Sequence, residues 1–300
     1  MKAVQFTHYG GPEVLRVAEV DEPHAGAGQI RVAVRAAGVN PVDWKLRSGA
    51  LAQMMPIELP SITGGDVAGV VDEVGEGASG VAVGDEVFGF ALSGGAAQHA
   101  VLEHYAAKPA AASWAEAAGW PLAVETAVRA LNLVGVTSGH TILVHGAAGG
   151  VGSAAVQFAC ERGARVIGTA SEANHAFLRT IGAEPTTYGD GMVARVRELA
   201  PGGVDRVLDA AGGTLPDLVE IAGSPHDVVT IADFTAAEHG VRFTPGADRR
   251  VWEALGQAAE LNEAGRLTIP VQTFPLEQAA EAHRISAAGH VRGKLVLIVD

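Results

Sequence analysis

The chain has one cysteine, Cys160, so no internal disulfide is available. Its place in an apolar, helix-like stretch reads as a buried structural thiol with no catalytic role. Positive charge is also scarce: 21 Lys and Arg face 34 Asp and Glu, a net charge of -13. Such a surface repels phosphate backbones, and no basic run or basic–aromatic interleaving offsets it, which excludes nucleic acid as a main partner. No apolar run is long enough to cross a bilayer. The opening Met1-Lys-Ala-Val-Gln-Phe6 passes into strand-like alternation without the apolar core and cleavage site of a signal peptide, so the expectation is a cytoplasmic protein with no membrane partner. The 11 histidines are scattered without metal-type spacing, and no metal is predicted. No serine sits in a G-x-S-x-G elbow, which removes an α/β hydrolase.

What is present is globular: 300 residues, 48% hydrophobic, with 39 glycines, enough for about two domains each with its own core. The first third reads as short strands with glycine turns: residues 2–6, 14–19, 29–37, 67–74, 86–90 and 98–102, a spacing that predicts a barrel. From about Trp114 strands and helices alternate. An alanine-rich helix precedes strand 141–145, helix 153–162 leads to strand 165–169, and further helices lead to strands 186–188 and 206–209. Short crossovers of this kind predict a parallel sheet with right-handed connections. Strand-like pieces at 228–231 and 241–244, a long helix near 250–264, a helix at 276–288 and a terminal strand at 294–299 complete the reading.

Directly after the strand ending at His145 comes Gly146-Ala-Ala-Gly-Gly-Val-Gly152, followed by a helix, the context of a dinucleotide-binding loop. Glycines let a pyrophosphate approach the backbone, and a helix N-terminus offers it unpaired N–H groups. Ala148, Gly149, Gly150, Val151 and Gly152 are the expected cofactor contacts, although Ala147 stands where the strict motif has its first glycine. The next strand ends Gly168-Thr-Ala170 without an acid that would accept both ribose hydroxyls and repel a 2′-phosphate. Ser171 and Asn174 can donate to such a phosphate, which favours NADP (NADPH), while Glu172 works against it. Ser171 also reads as an ordinary helix N-cap.

Several ordered motifs together carry a family resemblance over nearly the whole chain. Besides the glycine loop they are Gly10-Gly-Pro-Glu-Val-Leu15, Gly38-Val-Asn-Pro-Val-Asp-Trp-Lys45, Gly64-Gly-Asp-Val-Ala-Gly-Val-Val71 and Val83-Gly-Asp-Glu-Val-Phe88. The chain resembles the medium-chain dehydrogenase/reductase superfamily and, within it, the zinc-free, zeta-crystallin-like quinone oxidoreductases. The resemblance implies an α/β protein: a GroES-like β-barrel catalytic domain formed by residues 1–118 and 267–300, and a Rossmann domain with a doubly wound parallel sheet at 119–266, with the active site in the cleft between them. Zinc-dependent relatives carry a cysteine at the position of Asn40 and a histidine in a Gly-His-Glu motif where this chain has Gly64-Gly65-Asp66, so both ligands are missing.

By the same resemblance Asn40 lies near the nicotinamide, Thr126 touches the cofactor, Tyr188 in the third strand region flanks the adenosine phosphate, and Lys294 of His290-Val-Arg-Gly-Lys294 returns to the cofactor. Each also has a plain structural reading: Asn40 as a turn residue, Thr126 as a helix hydroxyl, Tyr188 as core, Lys294 as a solvated charge. Lys45, the one cation in the loop after Asn40, is a weaker candidate for polarising a carbonyl or donating a proton, beside its reading as a solvated lysine. The expected activity is NADPH-dependent hydride transfer to a quinone, a small-molecule partner. Reduction of an alkenal or enone double bond, or a non-catalytic NADPH-binding role, stays open. Members of the family commonly dimerise by joining Rossmann sheet edges, which makes a homodimer the expected assembly, with the pieces at 228–231 and 241–244 as the edge.

Overall fold

A computed structural model describes residues 1–246 and 250–299. The chain begins with β1 (Lys2–Phe6), β2 (Arg16–Glu19) and the ten-residue β3 (Ile30–Val39). Helix α1 (Pro41–Arg47) follows, then β4 (Ser61–Ile62), β5 (Asp66–Val74), β6 (Glu86–Ala91), β7 (His99–Ala107) and α2 (Trp114–Ala118). After α3 (Pro121–Val134) the pattern becomes β8 (Thr141–His145), α4 (Gly150–Glu161), β9 (Arg165–Thr169), α5 (His175–Thr180), β10 (Ala183–Thr186), α6 (Met192–Leu199), β11 (Arg206–Asp209) and α7 (Leu215–Ala222). The chain closes with β12 (Val228–Thr230), β13 (Arg242–Phe243), α8 (Glu253–Glu263), β14 (Val271–Pro275), α9 (Ala279–Ala288) and β15 (Lys294–Ile298). No helix among the described residues is long and apolar enough to cross a membrane.

Two compact units result: Met1–Leu122 with Leu255–Ala264 and Ile269–Asp300, and Ala123–Ala254 with Gly265–Thr268. Most of α8, drawn into the cofactor domain by the sequence reading, thus clusters with the first unit.

The first unit is built on β3. It pairs with β5 from Ile30 opposite Val74 to Gly38 opposite Asp66. Residues 30–33 also pair with β7, and residues 36–39 with β15. Because β5 pairs with β6 and β6 with β7, the strands β3, β5, β6 and β7 close on themselves, which removes their free edges. Register shifts between Arg31 and Val32 and between Val34 and Ala36 let one strand serve these neighbours. Ile30, Val32 and Val34 alternate into the core, whereas Ala36 to Val39 are buried on both faces, where α2 packs against the sheet. A separate three-stranded sheet, β2-β1-β4, completes this unit.

The second unit holds a parallel sheet in the order β10-β9-β8-β11-β12-β13. The order reverses between β9 and β11 around β8, which makes the C-terminal end of β8 the switch point where ligands of doubly wound sheets sit. Leu143, Ile167 and Val207 pack under α6 and α7 residues such as Met192, Val196 and Leu218.

Three expectations need correction. Residues 12–14 form a 3-10 turn, so the second strand starts only at Arg16. Helix α4 begins at Gly150 inside the glycine run and not at Ser153. The third strand of the parallel sheet is Ala183–Thr186, not 186–188. Its Pro185 is admissible because β10 is an edge strand, and the same proline hides the strand in the sequence.

Candidate functional site

In the first unit three strand ends converge. Asn40 follows the last residue of β3, Asp66 opens β5 opposite Gly38, and Lys294 opens β15 beside the pair Leu295 and Val39. The topology therefore joins residues 228 positions apart. The Asn40 amide donates to Asp66 Oδ2 at 2.9 Å, and the Lys294 ammonium donates to the same oxygen at 3.2 Å and to Asn40 Oδ1. Asp66 Oδ1 accepts the N–H of Leu122 at 2.9 Å. All three side chains are buried, so Lys294 is not a solvated charge and Asn40 is more than a turn residue. A buried ammonium and carboxylate are tolerated because each is paired and further hydrogen-bonded. Gly38 is part of the construction: a Cβ there would stand 2.5 Å from the Ala118 carbonyl oxygen and 2.9 Å from Asp66 Cβ.

Asn40 also caps α1, with its N–H donating to Asp43 Oδ2 at 2.7 Å. Burial pushes the Asp43 carboxyl up to about 7; the bond from Asn40 opposes this, the charge of Asp66 adds to it, and Lys294 counters. Lys45 lies on the same helix, half-buried, with Nζ 5.7 Å from the Trp44 ring centre. Burial lowers its ammonium pKa. Sequence reading named Asn40, Lys45 and Lys294 but missed Asp66 and Asp43 as their partners. Asp66 was visible only as the acid in Gly64-Gly65-Asp66.

In the second unit the glycine loop turns at Gly146 (φ +78), whose N–H donates to Thr169 Oγ1 at 3.1 Å. Gly149 then caps α4, and the first N–H groups of the helix, on Gly150, Val151 and Gly152, have no partner within it. The glycines differ in what demands them. At Gly152 a Cβ would lie 2.1 Å from the Gly146 carbonyl oxygen, so close packing of helix on loop requires glycine there. At Gly149 the backbone is ordinary (φ -75, ψ 174) and a Cβ would meet only the Gly146 oxygen at 3.6 Å. Nothing within the chain requires glycine at 149, which fits a loop left clear for a ligand's phosphates. The last residues of five successive strands, His145, Thr169, Thr186, Asp209 and Thr230, are all polar and buried. Thr169 Oγ1 lies 2.8 Å from His145 Nδ1, and Thr230 donates to Asp209 Oδ2 at 2.7 Å. Burial lowers the His145 pKa against the charges of Asp209 and Asp217.

Beyond β9, Asn174 donates to Ser171 Oγ at 3.1 Å across a 3-10 turn, and the turn adjoins β10 through the bond from Ala170 N–H to the Thr186 carbonyl. Tyr188 is neither in the strand nor in the core: it is 44% exposed in the loop after β10. Arg195 holds that loop through the carbonyls of Thr187, Tyr188 and Asp190. Thr126 is buried on α3, where its oxygen accepts from Arg129.

Among the described residues no group of three or more His, Cys, Asp or Glu side chains could hold a metal ion. At the position implied for zinc, Asn40 and Asp66 instead engage an ammonium group, so the residues present do not fit a catalytic zinc site.

A closed barrel followed by a doubly wound parallel sheet with a glycine turn at its switch point defines a protein with a Rossmann-type, dinucleotide-binding architecture. Residues 26–121 match the alcohol dehydrogenase GroES-like domain and residues 181–297 the zinc-binding dehydrogenase family. The chain is 31% identical over 325 residues to the quinone oxidoreductase of Rattus norvegicus, covering 100% of this chain and 98% of that protein. It is 32% identical over 311 residues to the 2-methylene-furan-3-one reductase of Solanum lycopersicum, covering 99% and 79%. It is 37% identical over 295 residues to the spectinabilin polyketide synthase system protein NorB of Streptomyces orinoci, covering 90% of this chain but only 13% of that much longer protein. Among solved structures, the Escherichia coli quinone oxidoreductase complexed with NADPH superimposes over 100% of both chains with a TM-score of 0.84 at 25% identity. The chain belongs to the medium-chain dehydrogenase/reductase superfamily, a superfamily of oxidoreductases.

Proposed function

We propose that this protein is an NADPH-dependent reductase that delivers a hydride to a quinone or a related conjugated carbonyl without zinc. The observation that carries the reading is the glycine loop, with three unpaired N–H groups at the start of α4 and open space at Gly149. Whole-length similarity to quinone oxidoreductases, one of them solved with NADPH, supports it. The neutral end of β9 at Ala170, with Ser171 and Asn174 beyond it, supports NADPH over NADH. When bound, the reduced nicotinamide supplies the hydride. Asn40, its amide fixed by Asp66 and Lys294, and the Lys294 ammonium offer a preorganised polar group to a cofactor or acceptor oxygen. A quinone asks little more, since its reduced ring is aromatic and takes protons from water.

Lys45 favours a second reading, saturation of an enone double bond. That reaction needs a proton at the carbon next to the carbonyl, and the lowered pKa of the half-buried Lys45 makes it a readier donor.

The test is NADPH oxidation, with NADH in parallel, using 1,4-benzoquinone or a short-chain enone as acceptor, each with and without a strong chelator. Chelator-resistant turnover preferring NADPH is expected. Lys45→Met should lower enone turnover by roughly a hundredfold while sparing the quinone. Tight NADPH binding without turnover of either acceptor would overturn the enzymatic reading in favour of a binding role.

A further inference from the structure

The sulfur atoms of the chain are few and unequally placed. There are four methionines and one cysteine. Met192 is 1% exposed and packs in the core of the second unit, and Met1 is partly buried. Cys160 is half-buried on α4, its Sγ 3.6 Å from the Gly182 carbonyl oxygen. Burial, and then the charge of Glu161, push its thiol pKa up. Because the thiolate is the form that attacks an oxidant, Cys160 is poorly suited to that chemistry. Met54 and Met55 stand apart: they are neighbours in the chain, 59% and 41% exposed. Local structure explains how two apolar residues come to sit outside. The chain leaves α1, turns at Gly49 (φ +82) beside the Tyr9 ring and is drawn inward at Leu51, which is buried. The Leu51 carbonyl oxygen then accepts the N–H of Met54 at 3.0 Å and that of Met55 at 2.7 Å. Pro56 follows and has no N–H with which to continue a helix. The turn is thus anchored by the side chain and the carbonyl of Leu51, with both thioethers carried outward.

A thioether needs no ionisation to be oxidised, so access decides which methionine reacts. We infer that Met54 and Met55 form a reversible oxidation site for hydrogen peroxide. At each residue a sulfur lone pair attacks one peroxide oxygen, and the O–O bond breaks as the S–O bond forms. The hydroxide released takes the proton of the transferred oxygen and leaves as water. Sulfur is oxidised by two electrons to the sulfoxide, and the peroxide is reduced by two. The reaction turns a flexible apolar side chain into a polar one, so the turn changes its surface character while Leu51 keeps it folded. The site lies outside the proposed reaction and holds whichever acceptor the protein reduces.

The test treats the folded protein with hydrogen peroxide, then digests it with trypsin and a glutamate-specific protease, which together release residues 48–58 for mass spectrometry. The expected result is a gain of one oxygen, about 16 Da, on each of Met54 and Met55 before any on Met192 or Cys160. The oxidised protein should melt within about 2 °C of the untreated one and elute earlier from a hydrophobic-interaction column. The two methionine sulfoxide reductases, one for each sulfoxide epimer, should restore both mass and retention. Met54→Leu combined with Met55→Leu keeps the apolar surface without the sulfur, and its retention should not respond to peroxide. Oxygen on Met192 or Cys160 at the same peroxide dose, or an equal shift in retention in the double variant, overturns the assignment. So does a large fall in melting temperature when Met54 and Met55 alone are oxidised, since it would make the two sulfurs part of the fold.

Discussion

Two buried titratable residues of the first unit pull stability in opposite directions with pH. Asp43 has a folded-state pKa of about 7 against 3.8 for a free side chain, chiefly through burial. Between those values the folded chain holds a proton that the unfolded chain has released, so stability falls as pH rises through that window. Three pH units at about 1.4 kcal/mol each amount to roughly 4 kcal/mol. His283 is lowered to about 4, first by burial and then by the charge of Arg47, so stability falls as pH drops from 6.5 to 4, by roughly 3 kcal/mol. Asp43→Asn should therefore gain on wild type progressively from pH 4 to 7 in urea unfolding, because the amide oxygen can still accept the Asn40 N–H. A constant difference across that range would show that the Asp43 carboxyl is not held protonated. Lys294 gives a second test at this scale. Lys294→Met leaves the Asp66 carboxylate buried without its cation and should cost about 3–5 kcal/mol, and adding Asp66→Asn should recover much of that. Additive losses in the double-variant cycle would remove the coupling.

Elements were legible where their signals were local. The strands 2–6, 141–145, 165–169 and 206–209 fall where the residue pattern places them, because each is a short run closed by glycine or a polar turn. Misplacement came where a local rule yielded to position in the sheet, as at Pro185 on an edge, or where a helix starts inside a glycine run, as at Gly150. The Asn40, Asp66 and Lys294 cluster was legible only in part, since Asp66 and Lys294 meet through the register of β3 with two different strands and no local pattern records that. Within the glycine loop, packing separates roles that the motif alone leaves merged. Gly152→Ala should destabilise the protein by about 1–3 kcal/mol, because its Cβ meets backbone that cannot move aside. Gly149→Ala should leave thermal unfolding within about 0.5 kcal/mol of wild type yet weaken NADPH binding. A stability loss at Gly149 matching that at Gly152 would mean that both serve the fold.

For the molecule as a whole, the two edges of the parallel sheet are unlike. β10 carries Pro185, a residue that blunts an edge against pairing. β13 has β12 on one side and no further strand among the described residues on the other. Beside it Phe234 is half exposed, its ring 5.3 Å from that of Phe243. An open edge flanked by aromatic surface suits pairing with the same edge of a second copy about a two-fold axis, which is the assembly the family resemblance implies. The expected outcome in light scattering is the mass of two chains for the wild type and of one chain for Phe234→Glu, with circular dichroism showing both folded. A single-chain mass for the wild type at micromolar concentration would rule the edge-to-edge dimer out, and a two-chain mass that survives Phe234→Glu would move the interface elsewhere.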